Sequence, residues 1–315
     1  MPKIIFYSLL VFTLLVSASP SFAAVYYSDT NADGLSETIT TNTNNITVYH
    51  PKTNSTSTYP LSVSSYAINK IVDTDGAAGN EIIVIYTDMF GSGIRIINDK
   101  NQTVHQYQIL GSGAAGSFSI NSVIDSDGTA GNEIVIIYAN VYGSGIQTIN
   151  DKNQTVHQYQ ILGAGASGSF AVNSVTDTDG IAGNEIVVIY ANVYGSGIET
   201  INDKNQTVHQ YQINGAGASG SFAINSVVDT DGVAGNEIIV VYANAFGNGT
   251  KVIHDNIQAV HQYSLSSTTS FTIMNVANYD GLLGAEICYS WNAGYSSGYS
   301  LIIDKTGVVQ SRSGC

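Results

Sequence analysis

Along residues 117–124 apolar and polar side chains alternate: Phe118, Ile120 and Ser122 fall on one side, and Ser119, Asn121 and Val123 on the other. A period of two predicts a β-strand. The next apolar stretch is different, because Ile134-Val135-Ile136-Ile137 runs without interruption between Glu133 and Tyr138 and is bounded by Gly128 and Gly143. It is too short for a helix and predicts a strand covered on both faces. Two further strands are expected at 146–150 and 155–161, joined by the polar turn Asp151-Lys152-Asn153-Gln154. No helical periodicity follows the N-terminal segment.

The same four-strand pattern recurs. Aligning Asp73, Asp125, Asp177 and Asp229 gives a period of 52 residues, and segments 116–167 and 168–219 agree at 44 of 52 positions. Six units result: 24–63, 64–115, 116–167, 168–219, 220–268 and 269–315, the first degenerate and the last divergent. Four antiparallel strands per unit of about 50 residues, with the second strand sandwiched, predict an all-β fold, a β-propeller of about six four-stranded blades. An open β-solenoid competes, but its coils are usually shorter and its pairing parallel.

Residues 1–23 have the features of a secretory signal peptide: Lys3, an apolar stretch from Ile4 to Val16, and the small-residue site Ser21-Phe22-Ala23. The stretch is too short to span a membrane, and no later segment is long enough, so a secreted or periplasmic protein is expected rather than an integral membrane protein. The chain carries 24 acidic against 10 basic side chains, a net charge of -14, which excludes a nucleic-acid binder of the basic-patch kind. Its two cysteines, Cys288 and Cys315, lie in the last unit. Export allows them to form a C-terminal staple, the alternative being two isolated thiols.

Each unit carries an acidic loop between its first and second strands. The middle copies place Asp73, Asp75 and Glu81, then Asp125, Asp127 and Glu133, then Asp177, Asp179 and Glu185, then Asp229, Asp231 and Glu237; the last copy has Asn278, Asp280 and Glu286. The first reads Asp29-Thr30-Asn31-Ala32-Asp33-Gly34-Leu35-Ser36-Glu37. A hard cation such as calcium takes six to eight oxygen ligands, and alternate residues of a tight loop turned by Gly can aim several inward. The plainer reading is a turn held by Asp side chains and Gly.

The first loop resembles the calcium loop of FG-GAP (VCBS-type) repeats, the blades of integrin α-subunit heads and of many bacterial secreted propellers. That pattern is Asp-x-Asp/Asn-x-Asp-Gly-x-x-Asp, matched by Asp29, Asn31, Asp33 and Gly34 with Glu37 last. The other loops lack the first carboxylate, with Ile71 or Val123 in its place, and insert two residues before the final Glu. The Phe-Gly signature survives only at Phe90-Gly91 and Phe246-Gly247. The resemblance implies a propeller and bound calcium.

Of the 24 acidic residues, 17 sit in these loops and five more, Asp99, Asp151, Asp203, Asp255 and Asp304, in the turns between the third and fourth strands. In a blade meander both connections emerge on one face, so the density there favours cations over turns alone. Three Gly-x-Gly-x-x-Gly matches, at Gly111, Gly163 and Gly215, lead into strands and therefore offer no helix N-terminus to a pyrophosphate. His105, His157, His209 and His261 recur once per unit and are read as packing residues.

On the opposite face lies the connection between the second and third strands, expected as a loop from Tyr138 to Gly145 and recurring from Tyr190 to Gly197. Asn140 with Tyr142, Asn192 with Tyr194, and Asn244 with Phe246 offer rings and amides to a glycan or protein ligand, the alternative being that the rings wedge between blades. Binding or adhesion is the expected function. An enzyme would draw on the residues that break the repeat, Asp88, Arg95, Glu199, Lys251 and Trp291, and a structural module of a surface assembly is a third reading.

Overall fold

The computed structural model describes residues 23–112, 115–163, 166–215, 220–244, 247–264, 270–294 and 296–315. The expected signal peptide lies outside the described residues, apart from Ala23. The fold is all-β, with six four-stranded antiparallel sheets of propeller-blade type, each in the order first, second, third, fourth strand. Among the described residues the single helical turn is the 3-10 turn Asp304–Thr306, and no helix is long and apolar enough to cross a membrane. Blade 3 shows the pattern, with strands Gly116–Ile124, Glu133–Asn140, Gly143–Asn150 and Thr155–Gly163. Blades 1, 2, 4, 5 and 6 span 25–60, 65–111, 168–215, 220–264 and 270–312.

The chain divides into two compact units, one of residues up to 72 with 78–118, the other of 73–77 with 119–315. In the first, Ile39, Ile46, Val48 and Tyr59 of blade 1 pack with Ile82, Val84 and Ile97 of blade 2. In the second, Val135 and Ile146 of blade 3 meet Ile186, Val188 and Ile201 of blade 4. The intervening Val187 turns the other way, onto Ile238 and Val240 of blade 5. This is why the second strand is apolar without interruption: successive side chains point to opposite faces, and each face has a neighbouring blade. Ile186, Val187 and Val188 are fully buried, each worth roughly 1.5–3 kcal/mol.

The connection between second and third strands is tighter than the sequence suggests. Asn140 pairs directly with Gly143, leaving a two-residue hairpin turn, Val141-Tyr142, where a loop of eight was expected. Gly143 permits it: φ is +133°, and a Cβ there would come within 2.5 Å of the Leu162 carbonyl oxygen. Cys288 and Cys315 form a disulfide with Cα atoms 5.8 Å apart, joining the end of the chain to the buried second strand of blade 6.

Candidate metal centre

The acidic loops of blades 3 to 5 are Asx turns. Asp125 Oδ1 accepts the Gly128 N–H at 2.6 Å, and Asp127 Oδ1 accepts the Thr129 N–H at 2.8 Å. Asp177 and Asp179 repeat these bonds to Gly180 and Ile181, as do Asp229 and Asp231 to Gly232 and Val233. Asp73 and Asp75 accept from Gly76 and Ala77. Gly128 has φ +71°, and a Cβ on it would lie 2.1 Å from the Ala182 carbonyl oxygen, so this glycine is needed where consecutive loops touch. The turn reading thus accounts for one oxygen of each of these aspartates.

The Glu that ends each loop is buried, between 0 and 4% exposed in all six blades. Glu133 Oε2 accepts the Ser126 N–H at 2.7 Å, and its Oε1 accepts the Asn150 amide at 3.0 Å. The same amide donates to Asp127 Oδ2 at 2.9 Å, so Asn150 bridges the two carboxylates. Asn202 does the same for Asp179 and Glu185, and Asn98 donates to Glu81 Oε1 at 3.1 Å. Burial first, opposed by the Ser126 N–H and reinforced by nearby aspartates, pushes Glu133 up to about 7; Glu185 follows for the same reasons.

The acids of the turn between third and fourth strands are not on the surface. Asp99, Asp151, Asp203, Asp255 and Asp304 are at most 3% exposed. Asp203 reaches from blade 4 into blade 3, where Oδ1 accepts from Thr148 Oγ1 at 2.6 Å and Tyr159 Oη at 2.6 Å and lies 2.9 Å from His157 Nδ1. Ser126 Oγ donates to its Oδ2 at 3.3 Å. Asp255 is held by Thr200, His209 and Tyr211 of blade 4 in the same way. In blades 2, 4, 5 and 6 one acid, Asp99, Asp203, Asp255 or Asp304, therefore latches the blade to its predecessor. His157, His209 and His261 are polar partners in that latch, and a good part of the acid density is structural. Lys52, Lys100, Lys152 and Lys204 donate to backbone carbonyls of the loops.

The first loop differs from the rest. Asp29, Asp33 and Glu37 bring carboxylate oxygens within 4.8 Å of one another, as the acids of the loops of blades 2 and 3 also do, and the difference lies in the final Glu. Glu37 Oε2 accepts the Thr30 N–H at 2.7 Å, but Oε1, buried, has no hydrogen-bond partner. The bridging Asn of blades 2 to 4 is here His50, whose Nδ1 lies 3.8 Å from that oxygen and 3.2 Å from the Asn31 amide. In the last loop Asn278 accepts the Gly281 N–H, Asp280 the Leu282 N–H and Glu286 Oε2 the Tyr279 N–H.

Blade 5 also carries a histidine in place of the Asn. His254 Nδ1 lies 3.4 Å from Asp231 Oδ2 and 3.5 Å from Glu237 Oε1, while Nε2 lies 2.9 Å from Asp304 Oδ2 of blade 6. Burial disfavours its charged form, but Asp304 and Glu237 outweigh this and raise its pKa to about 10. For Asp304 burial is likewise outweighed, and the donors His254, Tyr263 and His261 bring it down to about 2. In the sequence, His254 is marked only as a histidine at a position where blades 2 to 4 repeat Asn98, Asn150 and Asn202.

On the other side of the blades, Tyr142 and Tyr194 are 76% and 77% exposed, so these rings do not wedge between blades. Asn140 and Asn192 use their side-chain oxygens to accept the Tyr142 and Tyr194 N–H groups, at 2.8 and 2.9 Å. Asn244 Nδ2 donates to Asn214 Oδ1 at 3.2 Å, and Phe246 lies outside the described residues. Of the repeat-breaking residues, Arg95, Glu199 and Lys251 occupy one register position in three blades, each opposite a Gln of its own fourth strand. That is a repeated position with varied side chains.

No protein-family model matches the chain, and no curated relative matches it. Among solved structures it is similar to Porphyromonas gingivalis dipeptidyl peptidase 4, at 9% identity and a TM-score of 0.43 over 94% of this chain and 46% of that one. It is also similar to the WD40 domain of SCAP from fission yeast, at 10% identity and a TM-score of 0.34, over 88% of this chain and 72% of that one. For TolB from Acinetobacter baumannii the values are 12% and 0.29, over 92% and 62%. The chain spans less than half the length of the first of these proteins.

Proposed function

We propose that the protein is a secreted or periplasmic binding module, a propeller of the FG-GAP/VCBS type stabilised by calcium that presents its hairpin tips to a glycan or protein ligand. The observation that carries the calcium reading is Glu37 Oε1, a carboxylate oxygen fully buried beside Asp29 and Asp33 with no hydrogen-bond donor. A buried, unpartnered carboxylate oxygen is strongly disfavoured unless a cation meets it. Asp29, Asn31, Asp33 and Glu37 form the best-supplied donor set. In the loops of blades 2 to 4 the Glu Oε1 already accepts an Asn amide, so these loops bind more weakly. The exposed rings of Tyr142 and Tyr194, one on each of blades 3 and 4, suit a ligand engaged through more than one weak contact, the contacts adding by avidity.

Thermal unfolding of the mature chain in calcium, in magnesium and in chelator tests the metal reading, since three superimposed curves would reduce the loops to turns. A glycan and surface-protein binding screen with and without calcium tests the ligand reading. Loss of binding in Tyr142→Ala and Tyr194→Ala, with unchanged melting, is the expected result.

A further inference from the structure

We propose that the junction of blades 5 and 6 holds a divalent transition-metal ion, of which zinc is the redox-inert representative, on His254 Nε2, His261 Nδ1 and Asp304. This site uses nitrogen donors and is separate in kind from the oxygen-only loop of blade 1.

The geometry begins in the strand register. Val252 pairs with His261 across the third and fourth strands of blade 5, so His254, two residues on, is the diagonal neighbour of His261 on the same face. The two rings lie 4.4 Å apart, with His254 Nε2 and His261 Nδ1 facing each other at 3.1 Å. Asp304 completes the triangle, with Oδ2 2.9 Å from His254 Nε2 and Oδ1 3.0 Å from His261 Nδ1. Ligands about 2.0–2.1 Å from a tetrahedral zinc ion lie roughly 3.3 Å from one another, so a small outward adjustment admits the ion. Two nitrogens facing each other need something between them, a proton or a metal, because two lone pairs repel.

A second observation points the same way. His254 is 2% exposed, and its Nδ1 has no hydrogen-bond partner although it aims at the carboxylates of Asp231 and Glu237. Metal-bound histidines typically direct their other ring nitrogen to a carboxylate, which fixes the tautomer and raises ligand basicity. Asp231 and Glu237, expected as cation ligands of their own loop, serve in this arrangement as positioning residues for His254. Asp304 has its own support, accepting from Tyr263 Oη and from Thr230 Oγ1 at 2.9 Å. The His261 side chain is 43% exposed, which leaves an entry path and an open fourth position. The remaining described blades lack the set, since blades 2 to 4 carry Asn at the first position and blade 1 carries Ser57 at the second.

The test is titration of untagged mature protein with cobalt(II) and with zinc, in millimolar calcium. The expected result is one equivalent bound per chain, visible as the ligand-field absorption of low-coordinate cobalt, displaced by zinc and not by calcium. His254→Asn, the residue three other blades use, and His261→Ser, the residue of blade 1, should each weaken binding at least tenfold while the protein still folds. Glu237→Gln should weaken it less and shift the cobalt spectrum. The proposal is overturned if the wild type takes up no cobalt above the level of His254→Asn, or if calcium displaces the ion. If His254→Asn fails to fold, the same decision is read from His261→Ser.

Discussion

Blades 4 and 5 present the same strands to their successors and hold them with different chemistry. In blade 4, Asn202 bridges Asp179 and Glu185 of its own loop, while Thr200, His209 and Tyr211 hold Asp255 of blade 5. In blade 5, Val252 replaces the threonine and His254 replaces the asparagine. The imidazole is longer than the amide and has a nitrogen at each end, so it spans from Asp231 and Glu237 to Asp304 of blade 6. In blade 4 the two networks meet only at the Thr178 hydroxyl, which reaches Glu185 and Asp255; in blade 5 the Thr230 hydroxyl does the same and His254 adds a second link. A repeat can thus acquire a new site at a single position while its latch and its loop persist, because the backbone that positions both is unchanged.

The largest effect should come from removing the part both junctions share. Asp255→Ala leaves the Thr178, Thr200 and Tyr211 hydroxyls and His209 without their common acceptor, and a loss of about 3–5 kcal/mol is expected in the denaturant midpoint. His254→Asn, which makes blade 5 resemble blade 4, should cost much less; equal losses would break the comparison. Blade 6 is held differently again, since its fourth strand is exposed along its whole length and is followed by the Cys315 bond to Cys288, 27 residues back. Reduction should lower stability by about 3.5 kcal/mol on the chain-entropy account, read as a melting shift that Cys315→Ser reproduces without reductant.

A third contrast lies at the register position where blade 4 has Glu199 and blade 5 has Lys251. Burial pushes Glu199 up to about 7 from an ordinary 4.5, so the folded state binds this proton more tightly than the unfolded chain. Its contribution to stability is therefore complete below about pH 4.5 and is lost as pH rises through 7. Glu199→Gln, the residue blade 3 carries as Gln147, should remove that part of the pH slope, worth at most about 3 kcal/mol between pH 4.5 and 8. An unaltered slope in urea melts over this range would contradict the assignment. The smallest effect separates blade 1 from blade 3. At about 2 mM calcium a site of 0.1–1 mM affinity contributes roughly 0.6–1.8 kcal/mol, so Asp33→Asn should forfeit most of that and Asp127→Asn less. The measurement is the calcium-dependent melting shift of each variant, and a larger loss for Asp127→Asn would reverse the ranking of the loops.

Much of the fold was legible in the sequence because its cause is local. Period-two alternation, the unbroken Ile134 to Ile137 run and the 52-residue period depend only on near neighbours, and they placed four strands in each of six blades. The hairpin at Val141-Tyr142 was misjudged for a comparable reason: glycines at 143 and 145 suggest a loop, yet here they let the third strand begin early against the fourth. The candidate chemistry was legible in part. Carboxylates counted along the chain located the loops, but not which oxygens already have donors.

What the sequence by itself determined is the strand pattern, the number of blades and the cysteine pair available for oxidation, all set by periodicity and composition. What only the tertiary structure decided is where a charge ends up. Asp203 occupies a polar turn by sequence and a buried latch in space, because the neighbouring blade brings Thr148, His157 and Tyr159 to it from 44 to 55 residues away. His254, His261 and Asp304 are likewise spread over 50 residues and meet only through strand register and blade stacking. A side chain's solvation depends on what covers it, and the covering surface here belongs to the next repeat.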